Sequence, residues 1–331
     1  MYHAYRLLFL KVIQSKYTIY ILFAIIASFS TYYIIYNSKK NNLERQNLIL
    51  SHIKSMQDIF NSNLDEWSSY YTGVLNNLAT DNDISSLVAH KKRDELYNIM
   101  YNVFLDMQAE EPSLRTMHFY SSDGSMFLPV QDKESFDNTL SSNRPLIQFV
   151  NSKAEATSGF QSCPFGGVFR IVVPIIYNEN AIGALEIGFD PNLISRSLDE
   201  SASNEKFQYL LHKNSVIKLR SESKMSPVAI DDTYFINQLN NSFTLEFLEH
   251  VLNSDTDNGT IIEEEDNQYL ISKIAVIHGS KGEELGEMIG YYDFTIDNQK
   301  YRFNIVEIYL KVFIAFFIFL IVLILIHKKR Y

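Results

Sequence analysis

One arginine inside an otherwise apolar stretch is the residue whose setting most favours chemistry. Arg170 lies within 168–177, a run of apolar and β-branched residues that predicts a strand buried on both faces. A buried guanidinium group is costly unless an anion satisfies it, and it suits a carboxylate or another planar anion. We therefore expect Arg170 to bind an anionic ligand or to form a structural ion pair with Glu186 or Asp190.

Three further residues extend this candidate site. Arg144 directly precedes a helix predicted to begin at Pro145, so it is either a second anion clamp or a surface residue. His118 and Tyr120 share one face of a predicted strand, where they hydrogen-bond either a ligand or a partner in the core. We assign ligand binding to Arg170, Arg144, His118, Tyr120 and Glu186.

The sequence contains no residue spacing that is typical of an enzyme or a metal site. Nucleophile-elbow, zinc-protease, paired-cysteine and phosphate-loop patterns are missing. Residues 253–264 superficially resemble a calcium loop, but Gly259 stands at position seven, whereas that loop needs glycine at position six. We therefore expect a protein that is not an enzyme, with no catalytic residue, no metal and no cofactor.

Two long apolar segments are predicted to anchor the part of the chain that contains the candidate site in a membrane. Residues 17–38 contain no charge, and residues 308–326 contain only Lys311, so each is close to the roughly 20 residues that span a bilayer. We predict transmembrane helices at 17–38 and 305–326. The first is longer than the apolar part of a signal peptide and lacks a clear cleavage site, which favours an uncleaved anchor.

The charge distribution predicts the orientation. Residues 1–16 and 327–331 are basic and contain no acids, which places both ends in the cytoplasm. The formal charge of −10 becomes −17 for residues 37–307 once the seven basic residues of 1–36 and 308–331 are set aside, so nucleic-acid binding is not expected. We therefore predict a multi-pass protein of a bacterial inner membrane whose main domain is periplasmic.

The region between the membrane segments is predicted to be α+β. Residues 39–80 carry a helical apolar stripe that includes Trp67 and Tyr71, which packs either on the chain's own sheets or on a second copy. Two modules then follow, membrane-distal at 81–200 and membrane-proximal at 201–304. Their ends match in type, since IGALEIGFD at 182–190 and IGYYDFTID at 289–297 both open with Ile-Gly after a predicted turn.

Local sequence patterns predict the strands and helices of both modules. Predicted strands are 114–121, 125–130, 168–177, 182–189, 206–213, 216–220, 260–264, 269–278 and 286–296. Predicted helical segments are 146–151, 233–240 and 244–252, and residues 158–167 are predicted to be a loop.

Three stretches resemble a known family. They are MHFYSSDGSMFL at 117–128, SFDNTLSSNRPLIQFVN at 135–151, and SGFQSCPFGGVFRIVVPII at 158–176 with IGALEIG at 182–188. With the order of elements, they are similar to the double Cache class of bacterial extracytoplasmic sensor domains, in the variety described as a double sensory domain of two-component kinases. The resemblance covers most of 41–307, and the second module matches by layout.

The resemblance implies two tandem PAS-like modules flanked by transmembrane helices. It also implies a receptor that binds a small molecule in the membrane-distal module and shifts the second membrane helix. The family often continues into a kinase, a cyclase or a chemoreceptor coiled coil, whereas this sequence ends at Tyr331. We expect a homodimeric sensor subunit that signals to a separate kinase, cyclase or other signalling protein. The alternative is a truncated receptor, or a membrane-tethered periplasmic scaffold without a small-molecule ligand.

Overall fold

The computed structural model describes residues 16–134, 144–163, 166–191, 194–195, 198–199, 202, 204–213, 228–236, 244–254, 256, 259–264 and 266–328. Their helices are α1 (Lys16–Thr80), α2 (Asn82–Ala89), α3 (Arg93–Glu110), α4 (Pro145–Lys153), α5 (Leu245–Leu252) and α6 (Thr295–Lys328). Their strands are β1 (Leu114–Ser121), β2 (Met126–Pro129), β3 (Thr157–Cys163), β4 (Gly166–Tyr177), β5 (Asn180–Phe189), β6 (Glu205–His212), β7 (Val228–Ala229), β8 (Tyr234–Ile236), β9 (Thr260–Glu264), β10 (Asn267–His278) and β11 (Glu284–Asp293). The predicted α+β class, with a long N-terminal helix and two antiparallel sheets, is confirmed.

The chain divides into two compact units, Met1–Ser51 with Phe294–Tyr331, and His52–Asp293. The first unit contains most of the apolar length of α1 and α6, which are long and apolar enough to cross a membrane by length and composition. Arg45 links the two helices, because its Nε donates to Asn298 Oδ1 at 3.2 Å and its guanidinium group lies 5.0 Å from the ring centre of Tyr301.

The second unit contains two antiparallel sheets. The first has the strand order β2-β1-β5-β4-β3. Helix α1 covers one face of it, where Trp67 and Tyr71 lie 5.6 Å and 4.8 Å from the ring of Phe189. These two aromatic residues therefore pack on the chain's own sheet, the first of the two alternatives that the apolar stripe allowed.

The prediction of a loop at 158–167 is wrong where the structure describes these residues, because Thr157–Cys163 forms β3 and Gly166 begins β4. Strand β3 runs antiparallel to β4, with Gly159 opposite Arg170. Ser, Gly and Gln have little tendency to form strands, but β3 supplies backbone partners to the outer edge of the buried strand β4. Pairing with a buried neighbour thus outweighs intrinsic propensity at this position.

The second sheet has the strand order β7-β8-β6-β11-β10-β9 and packs against Phe247, Leu248 and Val251 of α5. The helical prediction for 233–240 is wrong where the structure describes it, because Tyr234–Ile236 forms β8 between β7 and β6. Aromatic and β-branched residues favour this pairing. The predicted strand at 216–220 lies outside the described residues, and β6 pairs with β8 and β11.

The predicted match between the two module ends is only partly reflected in the strands. Strand β11 begins at Glu284, so Ile289 lies in its interior and does not open it. The strand also ends at Asp293, before the predicted residue 296, because α6 begins at Thr295. The module boundaries at 81–200 and 201–304 stay predictions.

The two sheets contact each other through the β3–β4 hairpin. The N–H of Ser280 donates to the carbonyl of Phe160 at 3.0 Å, and Phe160 forms a parallel bridge with Gly279. A Cβ atom at Gly167 of β4 would lie 2.7 Å from the hydroxyl oxygen of Tyr209 on β6. Hence the strand that carries Arg170 also touches the second sheet.

Candidate functional site

The face of the first sheet opposite α1 carries the predicted site residues of the strands. Strand register places His118 of β1 beside Glu186 of β5, with Tyr120 two residues further along the same face. Arg170 of β4 lies in the next cross-strand row, opposite Gly188 of β5. Because side chains alternate along a strand, these residues point to the same side.

Helix α4 brings the remaining arginine to this face. Leu146, Ile147 and Val150 pack in one core cluster with Tyr120 and the neighbouring strands. Arg144 is the residue immediately before this helix, so docking of α4 carries it into the site. It is 8% exposed, and the alternative of a surface residue at a helix start is therefore wrong.

A single carboxylate oxygen lies at the centre of the cluster. Glu186 is fully buried, and its Oε1 accepts from Arg144 Nη1 at 2.8 Å and from Arg170 Nη1. His118 Nδ1 lies 3.1 Å from the same oxygen, and the Tyr120 hydroxyl donates to it at 3.4 Å. All five predicted residues are thus brought together, and their assignment to ligand binding stays a prediction.

The imidazole of His118 has a defined proton position. Gln131 Oε1 accepts from the backbone N–H of Met117 at 3.2 Å, which turns Gln131 Nε2 towards His118 Nε2 at 2.7 Å. Since the amide nitrogen donates, His118 Nε2 accepts and Nδ1 carries the proton that faces Glu186. Nothing in the sequence around Gln131 distinguishes it from a polar residue after a strand.

Burial and the two arginines set the charges in the cluster. Burial alone raises the pKa of Glu186, but the guanidinium groups of Arg170 and Arg144 and the hydrogen bond from His118 outweigh it, so the pKa falls well below its usual range. Burial lowers the pKa of His118 against the opposing effect of Glu186. Burial also raises the pKa of Tyr120 beyond its ordinary range. At neutral pH Glu186 is charged, and His118 and Tyr120 are neutral.

Three buried polar atoms of this face have no hydrogen-bond partner among the described residues. They are Glu186 Oε2, Arg170 Nε and Thr116 Oγ1. Thr116 and Arg170 flank Gly188, where a Cβ atom would lie 2.6 Å from Thr116 Oγ1 and 3.6 Å from Arg170 Nη1. Each unsatisfied buried group costs about 1–3 kcal/mol, which a bound water or ligand offsets.

Of the two acids expected as structural partners of Arg170, the structure places Glu186 in contact with it. Asp190 instead pairs with Arg115 at 3.4 Å. Thr116 was not among the predicted site residues, although it shares the strand face of His118 and Tyr120 and alternation along β1 points to it.

Acidification is expected to destabilise the protein through His118. The unfolded histidine takes up a proton near pH 6.5, whereas the lowered pKa keeps the folded one neutral, so unfolding is favoured as the pH falls below about 6.5. The effect of one such group is at most about 1.4 kcal/mol per pH unit. We expect His118→Asn, which retains a donor towards Glu186, to flatten the denaturant-derived stability curve between pH 6.5 and 5.

His250→Asn is the matched control, because His250 is exposed on α5. The prediction is wrong if His118→Asn and His250→Asn follow the same pH dependence. A separate loss at lower pH belongs to Glu186, whose contribution is present above about pH 4.3 and declines as the pH falls towards its lowered pKa.

Several solved structures are similar in fold. The ligand-binding domain of the Pseudomonas fluorescens chemoreceptor CtaA, in complex with L-serine, is 10% identical at a TM-score of 0.42, covering 75% of this chain and 98% of that one. The V. cholerae histidine kinase DctB sensor domain is 11% identical at 0.42, covering 76% and 98%. The periplasmic domain of Vibrio cholerae LuxQ is 11% identical at 0.45, covering 74% and 99%. At these identities the likeness concerns the fold alone.

A family model gives the assignment. No curated protein matches the chain. The model described as "Double sensory domain of two-component sensor kinase" matches residues 51–288, which is more than half of the chain. This range contains the first sheet, the whole Glu186 cluster and the second sheet as far as Met288 of β11. The chain therefore belongs to the double Cache family of sensory domains, as the resemblance in its first module indicated.

Proposed function

We propose that this chain is a bacterial inner-membrane receptor whose periplasmic double Cache domain binds a small anionic molecule at the Glu186 cluster. The observation that carries the proposal is the pair of buried arginines, Arg144 and Arg170, on a sheet face with unsatisfied polar atoms. Guanidinium groups in this setting suit a carboxylate, because they bind it bidentately and remain charged. The family is sensory, which agrees with a function other than catalysis.

Glu186 competes internally with the ligand. Its Oε1 contacts Arg144, which immediately precedes α4, and Arg170, which belongs to β4. An anion that binds here replaces Glu186 as the acceptor of some of these arginine hydrogen bonds. The positions of α4 and β4 therefore differ between the bound and free states. A ligand that binds one arrangement better shifts the population towards it.

The β3–β4 hairpin extends this effect to the second sheet. Phe160 contacts Ser280 in the turn between β10 and β11, and Gly167 lies beside Tyr209 of β6. Strand β11 ends at Asp293 and α6, with its candidate membrane segment, begins at Thr295. We propose that the second membrane helix transmits the change, in a homodimer, to a kinase, cyclase or other signalling protein.

A specific observation favours a second function. The ion pairs of Arg144 and Arg170 with Glu186 already satisfy part of the cluster, as a structural core network does. In that case the domain is a membrane-tethered periplasmic scaffold that recognises another protein. The two functions differ in whether a small molecule stabilises the fold through Arg170.

Arg170→Ala is expected to abolish stabilisation by small acids. The full-length chain in lipid nanodiscs is heated with acetate, propanoate, lactate, succinate or malate. At a hundredfold excess over Kd a ligand adds about 2.7 kcal/mol of stability, which raises Tm by several degrees. We expect at least one acid to produce such a rise in the wild type and none to do so in Arg170→Ala, each compared with the same protein without acid.

Arg115→Ala is the control, because Arg115 lies on β1, is 45% exposed and pairs with Asp190 away from the cluster. It should keep the acid-dependent rise in Tm. Retention of the rise by Arg170→Ala excludes Arg170 from the site. If no acid shifts the wild type, the anion-receptor function is wrong and the scaffold function is favoured.

A further inference from the structure

Helix α6 exposes large apolar side chains before it reaches its candidate membrane segment. Ile296 is 79% exposed and Phe303, seven residues later, is 68% exposed. A different face of α6 is turned towards α1, since Asn298 and Tyr301 contact Arg45. Ile296 lies about 14 Å along the helix from residue 305, where the membrane segment is predicted to begin, whereas the headgroup layer is about 5–7 Å thick. Lipid therefore does not cover Ile296, and an exposed apolar face of this kind marks a contact surface.

The spacing of these residues indicates that another helix covers them. Two rows with a step of seven follow one side of α6, and we call them together the α6 stripe. The rows are Ile296, Phe303, Leu310, Phe317 and Ile324, and Gln299, Val306, Phe313 and Leu320. A repeat of seven keeps one side of a helix facing a partner helix, as in coiled coils. Every side of α6 is apolar within the membrane, so the part outside it, where polar residues surround Ile296 and Phe303, is what distinguishes the stripe.

The charges beside the α6 stripe favour a second copy of this chain. With Ile296 and Phe303 at position a of the heptad, Arg302 occupies position g and Glu307 position e. Two copies in one membrane insert in the same direction, so their α6 helices run parallel and the same residues lie at the same height. In a parallel pair, residues at g and e form ion pairs between the helices. Arg302 is exposed and the Glu307 side chain is 45% exposed, so both are accessible to the second copy.

Helix α1 carries a weaker stripe of the same kind. Leu43 and Leu50 are seven residues apart and each is 58% exposed. However, the row beside them contains Lys39 and Gln46, and asparagines occupy the positions that correspond to Arg302 and Glu307. A lysine at a core position weakens a coiled coil, and asparagines supply no charge pair. The sequence of α6 is therefore the better suited of the two for self-pairing.

We propose that α6 pairs in parallel with α6 of a second copy through the α6 stripe, and that Arg302 of each copy binds Glu307 of the other. This inference rests on the homodimer of the proposed function and assigns an interface to it. Strand β11 ends at Asp293 and α6 begins at Thr295, so the paired helices directly follow the second sheet.

Disulfide cross-linking of the full-length chain in membranes tests the position of the interface. The single natural cysteine is first removed as Cys163→Ser, and Ile296→Cys or Phe303→Cys is then added. Leu43→Cys is the control, because Arg45 contacts Asn298 and places Leu43 at a similar height on α1. A disulfide requires Cα atoms within about 7 Å, so we expect both α6 variants to form about tenfold more cross-linked dimer than the control on mild oxidation.

Charge reversal tests the ion pair. Arg302→Glu places like charges together in the pair, and we expect it to weaken association about tenfold, measured by energy transfer between labelled copies as the protein is diluted in liposomes. Arg302→Glu/Glu307→Arg restores opposite charges and should restore association. Lys300→Glu makes the same charge change in the same turn, at a position that pairs with Thr295 in this register, and should alter association by less than about twofold.

The outcomes separate this interface from the proposed function. Cross-linking at Leu43 in place of Ile296 and Phe303 overturns the α6 interface and leaves the homodimer intact. A cross-linked product of another mass shows that a different protein covers the α6 stripe, which also overturns the inference. Equal effects of Arg302→Glu and Lys300→Glu overturn the ion pair. A chain that stays monomeric at every protein-to-lipid ratio overturns the homodimer as well, whereas the acid-dependent rise in Tm tests the receptor function independently.

Discussion

Glu186→Gln is expected to lower the free energy of unfolding by about 3–5 kcal/mol. Glutamine keeps the size of the side chain but removes the charge that Arg144 and Arg170 both contact in a buried setting. Removing one partner of a buried ion pair costs more than the pair contributes, because the other charge stays desolvated. Denaturant unfolding followed by tryptophan fluorescence measures this directly, since Trp67, the single tryptophan, packs on Phe189 of β5.

Glu179→Gln makes the same chemical change at an exposed position in the β4–β5 turn and should alter stability by less than about 0.5 kcal/mol. The double variant Arg170→Met/Glu186→Gln should be less destabilised than the two single changes together predict, with a coupling of about 0.5–3 kcal/mol. Additive single effects, or equal costs for Glu186→Gln and Glu179→Gln, contradict an energetically important ion pair.

The strands around Arg170 follow closely from the sequence. Apolar β-branched runs identify β4 and β5 within a few residues, and the interruption at Asn178 identifies the turn between them. Asn178 and Glu179 adopt φ values of 47° and 66°, as a two-residue hairpin turn requires. Local pattern is sufficient here because burial, propensity and turn chemistry all agree.

Tertiary pairing explains what the sequence did not reveal. Strand β3 consists mostly of residues with a weak local preference for strands, and it exists because the buried strand β4 needs backbone partners. Similarly, Arg144 is a residue before a helix in the sequence, and only the docking of α4 on the sheet buries it. Long-range contacts of this kind leave no periodic signal in one chain.

The membership of the cluster was predictable for a physical reason. A charge within a buried strand needs an opposite charge nearby, and strand alternation restricts the candidates to a few positions. Strand alternation does not predict which side-chain atoms of the cluster hydrogen-bond to one another. One oxygen of Glu186 serves two arginines while the other has no partner among the described residues, which depends on side-chain geometry.

Gly183→Ala is expected to destabilise the protein by about 3 kcal/mol, among the larger effects of adding one methyl group to this chain. A Cβ atom at Gly183 would lie 2.1 Å from the backbone oxygen of Tyr120, closer than Cβ contacts in folded proteins. The backbone of β1 cannot move away by a rotamer change as a flexible side chain can, so β1 and β5 must separate locally. Because Tyr120 donates to Glu186, the separation also loosens the cluster.

The same substitution at Gly73 is expected to have the opposite sign. Gly73 is exposed within α1, and no described atom lies within 4 Å of a Cβ atom there. Alanine loses less backbone entropy than glycine in a helix, so Gly73→Ala should stabilise the protein by about 0.5–1 kcal/mol. Unfolding curves of both variants test the argument together, since equal effects at the two sites contradict a steric origin at Gly183. A loss of stability in Gly183→Ala with a gain in Gly73→Ala attributes the loss to the close approach of β1 and β5. This close approach also keeps Tyr120 within hydrogen-bonding distance of Glu186.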